Sequence, residues 1–176
     1  MSQSNIEIDP SVTVHALLEA YPELEDVLID LAPPFKKLKN PFLRKSVAKV
    51  ATIKHIASVA GIPLDELIAK IREAVGQPES TESYEDQDYF GEQPEWFSAD
   101  RVALSLDEGK LEDKDKMTLV IILKEARNVR KGEIIELVTS FLPAPGIDIL
   151  KAKGYSVWTQ REGDDLIKSY FLKNTD

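Results

Sequence analysis

The segment from Asn40 to Gly76, NPFLRKSVAKVATIKHIASVAGIPLDELIAKIREAVG, leaves little choice of conformation. Asn40 can accept from the free N–H groups at a helix start, and Pro41 stands at the first helical position, where its missing N–H costs nothing. Leu43, Val47 and Val50 follow at i, i+4 and i+7 and share one face of a helix over Pro41–Val50. Thr52 is placed to cap a second helix, which Gly61 ends. Pro63 opens a third, in which Leu64, Leu67, Ile68, Ile71 and Val75 form an apolar stripe. Glu66 and Lys70 stand four apart on its outer side, and Gly76 occupies the position just past its end. Upstream, Val14–Tyr21 and Pro22–Leu31 read as two short helices. Residues 1–76 are therefore expected to form a small helical bundle.

The chain carries a net charge of −9, and most of it sits in one place. Residues 77–98 hold seven acids and no base, whereas the segments on either side are within one charge of neutral. This segment, QPESTESYEDQDYFGEQPEWFS, has no Ile, Leu, Val or Met. Its Pro, Gly, Ser and acidic content predicts a flexible linker. The resulting division is 1–76 helical domain, 77–98 acidic linker and 99–176 second domain. An acidic chain lacks the cationic surface from which phosphate affinity arises, so nucleic acid is not an expected partner. The longest apolar run, Leu119–Leu123, is too short to span a bilayer, and the polar start has no signal-peptide pattern. A cytoplasmic protein without membrane contact is expected. The sequence contains no cysteine, which excludes disulfides, thiolate nucleophiles and Cys-ligated metals.

Beyond residue 99 the hydrophobic period changes. Arg101–Leu106, Ile134–Thr139, Tyr155–Arg161 and Leu166–Leu172 read as strands, with Met117–Val129 and Pro145–Lys153 as helices between them. Glu162-Gly163-Asp164-Asp165 marks a hairpin turn between the last two strands. The order βαβαββ, with both helices on one face of the sheet, gives a two-layer α/β sandwich and an α+β fold class for the whole chain.

Thr13–Leu28, TVHALLEAYPELEDVL, and Ala57–Ile71, ASVAGIPLDELIAKI, resemble the small family of hybrid-cluster-protein-associated redox disulfide domains. Where cysteine-bearing members of that family place their pair, this chain has LAPPFKKLKNP, Leu31–Pro41. The resemblance thus implies the helical fold and not the redox chemistry. Gly132–Trp158, GEIIELVTSFLPAPGIDILKAKGYSVW, resembles the TusA/SirA-like fold in an uncharacterised bacterial branch. Sulfur-carrier members have a Cys-Pro pair at the start of the first helix, where the helix dipole favours a thiolate. The matching region here is Asp113–Met117, with neither residue.

Two surfaces remain as candidates. Between Ala32 and Leu64 there is no acid, and Lys36, Lys37, Lys39, Arg44, Lys45 and Lys49 form a basic stretch suited to an anionic partner. Charge runs of this kind are often only solvated helix faces. Met117 and Ile121 fall nearly opposite the apolar stripe of their helix, as a docking surface would. His15 and His55, the only two histidines, have no ligand cluster around them, so no metal or other cofactor is expected. Neither a nucleophile–base set nor a phosphate loop is present, which favours a non-enzymatic binding or adaptor protein with another protein as partner. A small-molecule or anion sensor, or an enzyme accessory protein, with its site between the domains is the alternative. The acidic linker could also fold back onto the basic face, its aromatic residues Tyr84, Tyr89, Phe90, Trp96 and Phe97 adding apolar contact.

Overall fold

The computed structural model describes residues 5–39, 41–86, 88–110 and 118–175. The chain divides into two compact units, residues 1–87 and 88–176. The first is helical and the second is built on a four-stranded mixed sheet, an α+β class.

In the helical unit α1 spans Val14–Ala20, α2 Leu24–Leu31, α3 Pro41–Ser46, α4 Ile53–Ala60 and α5 Leu64–Val75. Thr13 caps α1, its hydroxyl accepting from the Ala16 N–H at 3.1 Å. Thr52 does the same for α4 within a capping box. The two caps lie side by side, because the Val14 N–H donates to Ala51 O and the Ile53 N–H to Val12 O. Two helix starts are thereby fixed to each other by backbone alone. Gly61 and Gly76 end α4 and α5 at φ of 68° and 75°, a conformation that glycine adopts without steric cost. Ile8, Leu17, Leu24, Leu28, Ile53, Ile56, Leu67, Ile68 and Ile71 are completely buried or nearly so and make the core.

The expected continuous helix over Pro41–Val50 is instead α3 followed by a 3-10 turn over Val47–Lys49. The tighter winding advances each residue by about 120° rather than about 100°. Val50 therefore leaves the core stripe and is 39% exposed, while Ala48 and Ala51 are buried in its place. A second 3-10 stretch, Pro33–Lys39, follows α2. It keeps Ala32 and Phe35 in the core.

In the second unit β1 spans Val102–Asp107, α6 Thr118–Glu125, β2 Ile134–Thr139, α7 Ala144–Ala152, β3 Ser156–Gly163 and β4 Leu166–Leu172. The strand order is β1-β2-β4-β3. β1 and β2 are parallel, and β4 runs antiparallel to both β2 and β3. A two-residue turn joins β3 to β4 directly. The other two connections, β1 to β2 and β2 to β3, each contain a helix, as parallel strands require.

Pairing fixes two faces. Ile135, Leu137 and Thr139 lie opposite Phe171, Ser169 and Ile167 on one. Ile134 and Glu136 lie opposite Leu172 and Tyr170 on the other. Strict alternation of buried and exposed residues would mark a sheet wet on one side. It is lost here: Ile134 and Ile135 are both buried, as are Ser169 through Leu172. The second face is covered by the chain before β1. Trp96, Phe97 and Val102 pack on Ile134, Trp158, Tyr170 and Leu172. The Phe97 ring meets those of Trp158 and Tyr170 edge-on, at 4.9 and 4.6 Å between centroids.

Candidate functional site

The basic stretch lies on the 3-10 turn Pro33–Lys39, α3 and the 3-10 turn Val47–Lys49. Prolines 33 and 34 set the backbone of the first turn, and the buried Ala32, Phe35, Ala48 and Ala51 hold its ends in the core. Lys36, Lys39, Lys45 and Lys49 are exposed. Among the described residues none of these four forms an ion pair. Arg44 differs: half-buried, it pairs with Glu25 of α2 at 3.2 Å and so docks α3 on α2. It is a fastening residue more than a free cation. The side chain of Lys37 lies outside the described residues. The structure thus brings exposed ammonium groups onto consecutive short elements, with Ala32 and Phe35 filling the region where the resembling family carries its cysteines.

The segment 77–98 is shared between the two units. Its first half sits on α5. Asp86 Oδ1 accepts from the Leu64 N–H at 2.7 Å, so a carboxylate from outside the helix caps its start. In return Asp65 accepts from the Tyr84 N–H at 2.7 Å and from the Ser83 hydroxyl at 3.2 Å. Tyr84 packs on the helical core. The second half belongs to the sheet unit. Tyr89 is buried and donates its hydroxyl to Asp148 of α7 at 2.8 Å. Phe90 forms a parallel bridge with Thr159 of β3, under the Arg161 guanidinium. The Trp158 indole N–H donates to Gly91 O at 2.9 Å. The aromatic residues proposed as contacts for the basic face therefore have other places: Tyr84 by α5, and Tyr89, Phe90, Trp96 and Phe97 in the sheet unit.

Both histidines are structural in their surroundings. His55 is buried, and its Nδ1 accepts from the Thr52 N–H at 3.0 Å, completing the capping box of α4. His15 stands 3.5 Å from Glu19, one turn along α1. Among the described residues no group of three or more His, Cys, Asp or Glu side chains is placed to hold a metal ion. No helix among them is long and apolar enough to cross a membrane. Ile121 is half-buried on α6, whereas Met117 and the region 113–117 lie outside the described residues.

Tyrosine hydroxyls in the sheet unit hold their protons tightly. Burial, with a hydrogen bond to Glu136, pushes Tyr170 up to about 12. Glu136 also accepts from the Ser105 hydroxyl at 2.7 Å, so β1, β2 and β4 are joined side chain to side chain on this face. Burial and the Asp148 carboxylate raise Tyr89 further. These are groups fixed in the neutral form, suited to donating hydrogen bonds and not to proton transfer near neutral pH.

Sequence reasoning passed over Arg72 and Gln77. Arg72 is buried, and its guanidinium donates twice to Ile8 O, at 3.2 and 2.8 Å, and once to Pro78 O at 3.1 Å. The Gln77 amide donates to Ile6 O at 2.7 Å and to the Tyr21 hydroxyl at 3.1 Å. For Arg72 the available signal was a long-chain donor in the last turn before a capping glycine, since such a side chain can reach free carbonyls.

Residues 8–68 match a family described as a domain of unknown function, DUF1858, which is related to the hybrid-cluster-associated domain. No curated protein and no solved structure matches the chain.

Proposed function

We propose that this chain is a non-enzymatic binding or adaptor protein whose helical unit receives an acidic segment of a partner protein on Lys36, Lys37, Lys39, Lys45 and Lys49. One observation carries the reading: an acid-free stretch of thirty-odd residues whose lysines at 36, 39, 45 and 49 are exposed and unpaired among the described residues. A run of one sign repels itself, and an acidic partner segment relieves that repulsion. Each exposed ion pair is worth at most about 1 kcal/mol, so the surface would select by summed charge and would be strongly salt-dependent. The absence of cysteine leaves no thiolate for electron or sulfur transfer at either position that the two family resemblances mark. The TusA/SirA-like resemblance of Gly132–Trp158 is supported by the βαβαββ order of the sheet unit. An intracellular site of action fits a chain without cysteine.

The test is fluorescence anisotropy with a labelled glutamate-rich peptide. The wild-type protein should bind at low salt and lose affinity by about tenfold or more as salt is raised to physiological strength. K45E/K49E should weaken low-salt binding by at least about tenfold while leaving the helical circular dichroism intact. Equal binding by the variant, or tighter binding of a single-stranded oligonucleotide than of the peptide, refutes the proposal.

A further inference from the structure

The sheet of the second unit has two edges, and the chain treats them differently. The β3 edge is met at one point by a segment that precedes β1, through the Phe90–Thr159 bridge, with the Gly91 N–H pointing at Thr159 O. At the other edge, β1 pairs with β2 only. Alternate residues of an edge strand direct N–H and C=O away from the sheet, and an open edge is a template for another strand. Among the described residues, no backbone group from outside the sheet pairs with Ala103–Leu106. Ala103 and Ser105 are exposed, and Leu104 and Leu106 are half-buried.

We infer that a second copy of this chain adds to this edge, the two β1 strands pairing antiparallel about a two-fold axis at Ser105. The ends of β1 carry complementary charge. Asp100 and Arg101 lie in the 3-10 turn Ala99–Arg101 that precedes it, and Asp107 ends it, with Lys110 of the 3-10 turn Glu108–Lys110 standing 4.0 Å from Asp107. An antiparallel copy sets the end that carries Asp100 and Arg101 beside the end of its mate that carries Asp107 and Lys110, twice over by symmetry. A parallel copy would set Asp100 on Asp100 and Arg101 on Arg101. The same register places Leu104 opposite Leu106 on the face shared with Ile135 and Leu137, so half-exposed leucines cover one another. Ser105 then meets Ser105 on the opposite face, each hydroxyl donating to Glu136 of its own β2. A bulge between Val102 and Leu104 limits regular pairing to the remainder of the strand. The contact is consequently small and the association weak and concentration-dependent.

Sedimentation equilibrium of the full chain from about 10 µM to about 1 mM should show a monomer–dimer equilibrium. Amide exchange at Ala103–Leu106 should slow over the same range while other edge amides do not change. D100K should weaken the dimer about tenfold or more, and D100K/K110D should restore it. Both positions are exposed, and circular dichroism verifies that the variants fold. A monomer at every concentration overturns the inference. So does a dimer indifferent to D100K whose β1 amides exchange at the same rate throughout, because its interface then lies elsewhere.

Discussion

Arg72 brings a charge into the helical unit and directs three of its five N–H donors at backbone carbonyls. Its nearest carboxylate, Glu7, is 3.8 Å away and largely in solvent, so the hydrogen bonds to Ile8 O and Pro78 O matter more than the ion pair. Replacing it by methionine keeps most of the hydrocarbon and leaves those carbonyls without donors. Arg72→Met should lower the stability of the helical unit by about 2–4 kcal/mol, measured by urea unfolding followed at the helical circular dichroism band. Lysine should recover only part of this, since one ammonium group cannot reproduce a planar fork that reaches two strands of chain. At this scale the sequence was legible where partners lie one helical turn apart: Glu66 and Lys70 meet at 2.9 Å as their spacing requires. Arg72, whose partners are 64 residues away and just beyond the helix, was not, because periodicity carries no information about backbone acceptors on other segments.

The elements follow the same division. β2 and β4 have the bounds that their β-branched and aromatic runs indicate, and α5 ends at the expected glycine. The 3-10 turns were not legible, since a repeat of three differs little from 3.6 over so few residues. Segment 77–98 shows a subtler miss. A stretch without aliphatic residues reads as unable to bury surface, yet its aromatic residues bury more per side chain than aliphatics do. Phe97 is the case to test. Phe97→Ala removes a ring packed edge-on against two others and uncovers one face of the sheet. It should destabilise the sheet unit by about 2–3 kcal/mol, read from the fluorescence of Trp96 and Trp158, both in that unit. The helical circular dichroism of the first unit should persist through that transition. The exposure of Lys36, Lys39, Lys45 and Lys49 was legible from their charge. That Arg44 is engaged by Glu25 was not, because it depends on how α3 meets α2.

Across the whole molecule, the tyrosines with raised pKa values, Tyr89, Tyr155 and Tyr170, all belong to residues 88–176. Each keeps its proton in the fold to higher pH than in the unfolded chain, where a tyrosine ionises near pH 10. Their contribution to stability is therefore complete below about pH 10 and is lost as pH rises through the raised values, near 12 for Tyr170. Alkaline titration should unfold the sheet unit first. Tyrosinate absorbance should appear together with a red shift of tryptophan emission, before helical circular dichroism falls. Simultaneous loss of both signals would contradict this. The reciprocal capping of α5 by Asp86 and of Tyr84 by Asp65 has a bearing on where the chain can be divided as well as on stability. Because the chain after Gly76 is fastened to the helical unit up to Asp86, and the chain from Tyr89 to the sheet unit, neither unit relies on the other to hold its own end of the join. A gene spliced at that point would transplant either unit with its fastenings intact, whereas one spliced at Gly76 would strip α5 of its cap and Arg72 of an acceptor. The seam between the two units is therefore set by where the hydrogen bonds change owner and not by where the helices and strands stop.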